Sequence, residues 1–468
     1  MSALNYCEKK NELGDERAAA SASQSPDGYS PKLSLFNREF SMPAILSWGT
    51  RGGLAIAEYG LISGSNFVLG ILLARWMPAQ QFGAYALAFS VFLLLSFAYQ
   101  SLLLEPMSVF GGSRYRECVR AYFGKVTWIA LAMSLLICLV FGLASGVTLL
   151  LGRSGDLTGA LLGLSVAAPC ICFSWLVRRV FYLRLTPGPA AVGALLYFVI
   201  VTGGVVLLHR YAVLSPTTAF LLMAAGALFS SVLLVLWLLR VLPRTPGPSL
   251  RETWQRHWQY GRWSLGTSFL RWLPNYIYFP LLATFFGMAP AGELRALTNF
   301  TAPVDQTATA LTMLLLPYAA GLKADSAPGA ATNLARRITM LFVAGAALYW
   351  LLIIPFAGPV FRVAYDGNYL AVVYLMPVVA LESVIWSAGC GPAIVLRSME
   401  SPASVFGARC AGAAACLLIG IPATRLLGIS GAVLGMLCSS LVSVLAAAIL
   451  LRRKEISSAA CAQAVTAD

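Results

Sequence analysis

The sequence is poor in charge. Asp, Glu, Lys and Arg make up 11% of its 468 residues, against about 25% in a soluble domain. That shortfall excludes a water-facing globular surface over most of the chain. Histidine is almost missing: His209 and His257 are the two copies, both outside the apolar runs, so a histidine metal cluster is excluded. The ten cysteines include no CxxC pair. Cys138, Cys170, Cys172, Cys416 and Cys438 lie inside apolar runs, where thiols pack as small hydrophobes, so a disulfide framework and a zinc site are both disfavoured. Walker A, GxSxG, HExxH and DxD patterns are all missing, which argues against an ATP-driven pump working alone and against an enzyme, and no cofactor is expected. No apolar run lies near Met1; the first begins near Gly52, so no cleavable signal peptide is expected.

Acidic residues are the scarcer sign, 19 against 33 Lys and Arg, for a net charge of +14. A basic excess fits nucleic acid only on a solvated face, which this chain lacks, so no nucleic-acid partner is expected. The positive-inside asymmetry of a polytopic membrane protein accounts for it instead.

Hydrophobic residues make up 59% of the chain. Crossing a bilayer takes about 20 apolar residues, and twelve stretches qualify: 53–74, 82–104, 126–151, 158–177, 189–208, 217–239, 264–286, 296–321, 338–361, 370–395, 404–424 and 428–451. The predicted fold class is an all-α polytopic membrane protein. No loop is long enough to fold as a catalytic domain. The tail before span 1, the loops after spans 2, 4, 6, 8 and 10 with their flanking turns, and the C-terminal tail hold 26 of the 33 basic residues. The loops after the odd-numbered spans hold six, and Arg271 lies within span 7. This bias predicts that both termini are cytoplasmic.

The organisation read from these features has five parts. Residues 1–50 form a cytoplasmic tail, partly disordered. Residues 51–240 and 264–452 form two lobes of six helices, 241–263 joins them, and 453–468 is a second cytoplasmic tail. In the joining segment, Pro243, Pro246 and Pro248 break the chain. Ser249 and Glu252 then have capping-box spacing, and Leu250, Trp254 and Trp258 recur at helical spacing among arginines, as in a helix lying at the membrane surface. Aligning Pro78 with Pro290 places span 1 on span 7 and span 2 on span 8, a weak internal repeat of the sort found in alternating-access carriers.

Charges and polar stripes inside spans mark candidate sites, because lipid tails cannot satisfy them. In span 7, Ser264, Ser268, Arg271, Asn275 and Tyr278 follow at intervals that keep one helical face. Under the repeat, Arg271, Asn275 and Tyr278 fall on Tyr59, Ser63 and Asn66 of span 1, which also share a face. In span 8, Thr298, Thr301, Asp305, Thr309 and Thr312 form a third stripe with Gln306 on its flank. The candidate substrate-binding set is Arg271, Asn275, Tyr278, Tyr59, Ser63, Asn66, Thr301 and Gln306. Arg271 stands out because a guanidinium suits bidentate contact with phosphate. Asp305 and Glu382 are the candidate ion-coupling residues. A structural Asp305–Arg271 pair and a protonated core Glu382 remain open beside that role. Glu58, near the start of span 1, is read as reaching interfacial water, and Arg178, Arg179 and Arg184 as topology determinants.

The stretch around Leu72-Leu73-Ala74-Arg75 and Phe82-Gly83-Ala84-Tyr85-Ala86, an LLAR-x6-FG-x-YA pattern, resembles the N-terminal segment of bacterial polysaccharide-biosynthesis flippases. These are the O-antigen and exopolysaccharide translocases of the multidrug/oligosaccharidyl-lipid/polysaccharide (MOP) superfamily. The resemblance implies the MATE-like fold of two six-helix lobes around a cationic cavity. It also implies an inner-membrane carrier working by alternating access on an undecaprenyl-pyrophosphate-linked oligosaccharide, moved from the cytoplasmic to the periplasmic leaflet. The implied partners are that lipid-linked oligosaccharide, membrane lipids, and a polysaccharide polymerase with its export machinery. The lipid II branch typically has fourteen spans, which twelve argues against. Arg271 and Asp305 rest on the stripes alone. A cation-coupled multidrug or metabolite antiporter of the same superfamily is the alternative. A glycan polymerase or ligase ranks lower, since such enzymes usually carry a large periplasmic loop.

Overall fold

The computed structural model describes residues 42–467, apart from 113, 116–117, 153–154, 185, 242–246, 322–329 and 400–401. Of the partly disordered tail expected over 1–50, residues 1–41 lie outside the described residues, and 42–50 are the start of a helix. Every regular element among them is helical.

The first six spans are α1 (Met42–Trp76), α2 (Ala79–Tyr99), α4 (Val119–Leu150), α5 (Asp156–Leu183), α6 (Pro187–Arg210) and α7 (Pro216–Val241). α2 runs through a π turn, Gln100–Leu104, into α3 (Glu105–Gly112). α5 packs along α4 and α7, and α1 along α6, which makes the first lobe. In the second lobe, α12 (Ala330–Ile353) leads into the short α13 (Ala357–Tyr365). α14 (Met376–Ala388), α15 (Cys390–Ser398), α16 (Pro402–Ala415) and α17 (Ile421–Leu427) follow, and all four pack with the long α18 (Ile429–Ala467). The outer faces stay apolar: Trp128, Leu136, Leu143, Leu351, Leu352 and Leu445 are all exposed. A chain that leaves such residues outside is solvated by hydrocarbon.

Ten helices among the described residues are long and apolar enough to cross a membrane, where twelve were expected. The two that fall short are spans 7 and 8, and both are broken. Span 7 is the end of α8 (Leu250–Tyr276), an interruption at Ile277, and α9 (Tyr278–Phe286). Span 8 is α10 (Met288–Asn299), a turn at Phe300–Thr301, and α11 (Ala302–Gly321). Pro274 inside α8 and Pro303 at the start of α11 each lack an N–H for the helical ladder. Gly287, at φ 91°, makes the reversal between α9 and α10. The same polar, proline-bearing stretches that looked like site walls are the ones that fail as simple spans.

The joining helix does not stop before span 7. α8 begins at the N-cap Ser249, whose hydroxyl accepts the Glu252 N–H at 3.2 Å, and continues to Tyr276. The reciprocal half of the capping box is not made. Glu252 instead accepts from Arg256 at 3.1 Å and from Tyr115 at 3.2 Å. One face of the helix, Thr253, His257 and Gly261, is buried against the π turn, and the other exposes Leu250, Trp254 and Trp258.

Two of the places where the lobes meet bear on the site. At the end away from the arginine-rich loops, α2 crosses α10 at backbone contact: a methyl on Gly83 would lie 1.7 Å from the Met288 carbonyl oxygen, and one on Gly292 2.7 Å from that of Ala79. Beside this crossing the Arg75 guanidinium donates to the Val363 carbonyl at 2.8 Å, and Phe82 lies against Tyr369. Toward the basic end, α8 fastens onto α2 and its π turn. Trp272 Nε1 donates to the Ser90 carbonyl at 2.8 Å, and the Ser268 and Ser101 hydroxyls pair at 2.8 Å.

Candidate functional site

The facing sides of the two lobes bring together side chains of α1, α2, the broken spans 7 and 8, α15 and α16. Their most distinctive content is arginine. The Arg271 guanidinium lies 4.3 Å from the centre of the Phe97 ring, and that of Arg295 lies 5.3 Å from the centre of Phe89. Phe89 and Phe97 both project from α2, two turns or about 12 Å apart. One side of α2 thus carries two cations on two aromatic rings, a cation–π arrangement worth about 0.5–1 kcal/mol at exposed sites. Tyr276 stacks edge-on to Phe97 and lies within electrostatic range of both arginines and of Asp305. Arg397 and Arg409 continue the series toward the basic end, within electrostatic range of each other and of Arg271.

Among the described residues, none of these four arginines has a carboxylate oxygen within 4.0 Å, since the three ion pairs involve Arg75, Arg178 and Arg256. The buried Arg295 Nε has no hydrogen-bond partner at all. Arg271 and Arg397 are exposed and Arg295 and Arg409 half-buried, so the series is accessible to an anion, which a guanidinium without a carboxylate partner can bind.

The predicted residues divide. Arg271 faces the interior and is exposed. Tyr59, Ser63 and Asn66 share one face of α1; Tyr59 lies beside Thr309 and within electrostatic range of Arg271 and Asp305, and Asn66 lines a recess of the first lobe. Thr301 donates to Asp305 Oδ2 at 3.1 Å, and the buried Gln306 Oε1 is unpartnered. Asp305 and Glu382 lie within electrostatic range of each other, and Glu382 Oε1 accepts from Ser440 at 2.6 Å. Asp305 and Arg271 share this interior without forming an ion pair. Three stripe members go elsewhere. Ser264 and Ser268 are consumed in the seam with the π turn and Glu105. Tyr278, past the interruption at Ile277, is fully buried against Gly420 and Gly435. The Asn275 side-chain amide donates back to the Arg271 carbonyl at 2.8 Å.

Sequence reasoning missed two groups. Glu58 is 4% exposed. It accepts from Arg178 Nη1 at 2.6 Å and from the Tyr182 hydroxyl at 2.5 Å, so it is a buried ion pair and not an interfacial carboxylate. The signal available was that Arg178 follows Ser174 and Trp175 at helical spacing on the inward face of α5. Arg295 was counted with a loop; α10 begins at Met288, which sets Arg295 about 10 Å into span 8. The break at Gly287 was the clue. Outside the spans, the His257 Nδ1–H donates to the Leu102 carbonyl at 3.1 Å, and its Nε2 accepts from the Tyr122 hydroxyl at 2.7 Å. Burial holds this imidazole neutral, with its pKa pushed down to about 4. No group of three His, Cys, Asp or Glu side chains among the described residues is arranged to hold a metal ion.

No family profile matches the sequence, and no curated protein does. Solved structures do. The chain is similar to an inward-facing multidrug resistance MATE family transporter of the MOP superfamily, with a TM-score of 0.68 over 86% of this chain and 96% of that one, at 13% identity. The fold is that of the MOP superfamily. The lipid II flippase MurJ in an inward closed conformation matches with a TM-score of 0.65, 87% of each chain and 11% identity. A MOP superfamily transporter from Pyrococcus furiosus, described as having a binding pocket of reversed polarity, matches with a TM-score of 0.61 over 87% of this chain and 95% of that one, at 14% identity. These neighbours are described as transporters and a flippase, and the ten apolar helices of this chain make it a multi-pass membrane protein with their fold. Identities this low establish the architecture; the substrate has to be argued from this chain's own side chains.

Proposed function

We propose that this MOP-fold protein translocates an undecaprenyl-pyrophosphate-linked oligosaccharide from the cytoplasmic to the periplasmic leaflet of the bacterial inner membrane. The observation that carries the reading is the series Arg295, Arg271, Arg397 and Arg409 along the facing sides of the lobes, without carboxylate partners among the described residues. A pyrophosphate is a compact multivalent anion, and a guanidinium binds it in bidentate fashion. Arg397 and Arg409 lie toward the basic end, which the positive-inside bias assigns to the cytoplasm. Arg295 lies toward the other end. The anion therefore meets a cation at each level of its path.

Tyr59, Ser63, Asn66, Thr301 and Gln306 supply hydrogen bonds to sugar hydroxyls, while the prenyl chain remains in lipid. Asp305 and Glu382 are the coupling groups. Near the cations, protonation of these acids changes the net charge of the cavity and so its hold on the anion. The clasp between α2 and α10 closes the periplasmic end, and its opening is the second half of the cycle. On the far side a polymerase and its export machinery take up the glycan. Both termini lie in the cytoplasm.

The test is export in a deletion strain. Loss of the protein should trap the lipid-linked glycan in the cytoplasmic leaflet without changing drug sensitivity. Arg271→Ala should fail to restore export at normal protein abundance, and Asp305→Asn should restore it poorly. Full export by Arg271→Ala would remove that residue from the mechanism. Drug sensitivity on deletion, with glycan export intact, would favour an antiporter.

A further inference from the structure

We infer that the two lobes cap each other's helix ends, and that this reciprocal cap is a latch between them. The last turns of α1 and α13 lie against each other, and each lobe supplies a hydrogen-bond donor to the other's helix end. The latch sits at the end away from the arginine-rich loops. It sets how readily that end opens, whatever the cargo. It rests on the reading that the lobes part there during transport.

The final four carbonyls of an α-helix have no helical N–H to accept from. On α13 one of these belongs to Val363, and the Arg75 guanidinium of the first lobe donates to it at 2.8 Å. A cation at that position also suits the negative end of the helix dipole. On α1 another belongs to Arg75 itself, and the Asn368 side-chain amide of the second lobe donates to it at 3.3 Å.

The turn that carries Asn368 is shaped for this reach. Asp366, Gly367 and Tyr369 have φ of 57°, 83° and 64°, left-handed values that only glycine adopts without cost. Such backbone persists where surrounding contacts hold it. Here the contacts come from both lobes: the Tyr369 ring centre lies 6.1 Å from that of Phe82 on α2 and 5.6 Å from that of Tyr365 on α13. The Asp366 side chain is 75% exposed and 3.9 Å from Arg75, so the ion pair adds little. The two caps are what join the ends.

Each end is fixed to its own lobe. Trp76 stacks on His209 of α6 with ring centres 4.2 Å apart, which ties the end of α1 to the first lobe. The Tyr365 hydroxyl donates to the Ala296 carbonyl at 2.9 Å, and Phe361 stacks on Phe300, which ties α13 to span 8. Parting the lobes therefore breaks both caps together. Arg75 and Asn368 are positioning residues in this account, and neither has to touch what is carried.

The experiment uses the full chain, cysteine-depleted, in lipid nanodiscs. Spin labels at the exposed positions Tyr211 and Leu426 report the gap by double electron–electron resonance. Arg75→Met, which keeps a long side chain and removes the donors, should raise the ratio of long to short distances about tenfold, the worth of one net hydrogen bond. Asn368→Ala should raise it about threefold, since a neutral donor is the weaker one. Arg75→Lys, which keeps a charged donor, should fall between Arg75→Met and the unaltered protein. Asp366→Asn tolerates the left-handed backbone and removes only the charge, so it should leave the ratio as it is. The reciprocal cap is overturned if either Arg75→Met or Asn368→Ala leaves the ratio unchanged, or if Asp366→Asn raises it as far as Arg75→Met does. Gly83→Ala, which wedges α2 from α10 close by, separates the latch from the reading beneath it. If that variant lengthens the distance and Arg75→Met does not, the latch fails and the parting of the lobes stands. If neither does, the lobes do not part at this end and both ideas fail.

Discussion

Gly83 is where a single methyl group should bias the transport cycle. In the described state its Cα faces the Met288 carbonyl oxygen so closely that a Cβ would stand 1.7 Å away, and real Cβ contacts essentially never fall below 3.0 Å. α2 and α10 must separate by more than 1 Å to admit Gly83→Ala. Neither side of the contact is a flexible side-chain tip, so the clash is relieved only by moving helices. Overpacking of this kind costs about 1–3 kcal/mol. Because the crossing joins the two lobes, that cost falls on the clasped state and disappears once the helices at that end separate. The population ratio should shift about 5- to 150-fold toward the open state. Gly292→Ala, with its Cβ 2.7 Å from the Ala79 carbonyl, is the milder wedge. Gly431→Ala is the control: its Cβ would lie 1.9 Å from the Ala423 carbonyl, within the second lobe. It should lower the melting temperature without moving the lobes. Spin labels at Tyr211 and Leu426, both exposed and one per lobe, report the gap by double electron–electron resonance in a cysteine-depleted protein. The expected order of the long-distance population is Gly83→Ala above Gly292→Ala above the unaltered protein. An unchanged distance distribution in folded Gly83→Ala refutes the reasoning, as does an equal shift from Gly431→Ala.

Arg295→Ala should reduce glycan export about ten- to a hundredfold, the worth of a charge-assisted contact, with Arg295→Lys intermediate because it keeps the charge and loses the planar stack on Phe89; equal export by all three forms in a complementation assay counts against the arginine series. Glu58→Leu leaves Arg178 buried and unpaired and should cost about 3–5 kcal/mol, whereas Glu58→Leu with Arg178→Met should recover most of it; thermal unfolding in detergent reads both, and a single variant as stable as the double one contradicts the buried pair. His257 gives a pH dependence. Its folded pKa of about 4 lies below the ordinary 6.5, so the unfolded chain binds more protons between those values and stability falls as pH drops through that window. Between pH 7 and pH 5 the loss should be about 2 kcal/mol, and His257→Gln should remove most of it; equal pH sensitivity in both proteins would exclude His257 as the cause.

Local features were legible in the chain because local physics fixes them. Ten apolar runs became membrane-length helices since each is long enough on its own to satisfy its backbone in lipid. The start of α8 at Ser249 followed from a cap whose two partners are three residues apart. The stripe of Tyr59, Ser63 and Asn66 kept its common face because nothing interrupts α1 there. The stripe of span 7 did not, since the interruption at Ile277 separates Arg271 in the interior from Tyr278 in a packed seam.

Contacts between distant segments needed the tertiary structure. Glu58 and Arg178 are 120 residues apart, and no periodicity states that α1 and α5 would bring them together. Phe89 and Phe97 read as ordinary core aromatics until Arg295 and Arg271 were found above them. Gly83 belonged to a recognisable FG-x-YA pattern, but its need for a missing side chain comes from α10, more than 200 positions later. The sequence by itself determined which segments enter the membrane and which faces are polar, because burial of backbone and of apolar surface acts over one helix at a time. Which cations stand unpaired, and what they face, was decided only when the lobes packed, because a charge's energy depends on every neighbour within several ångströms, whatever its place in the chain.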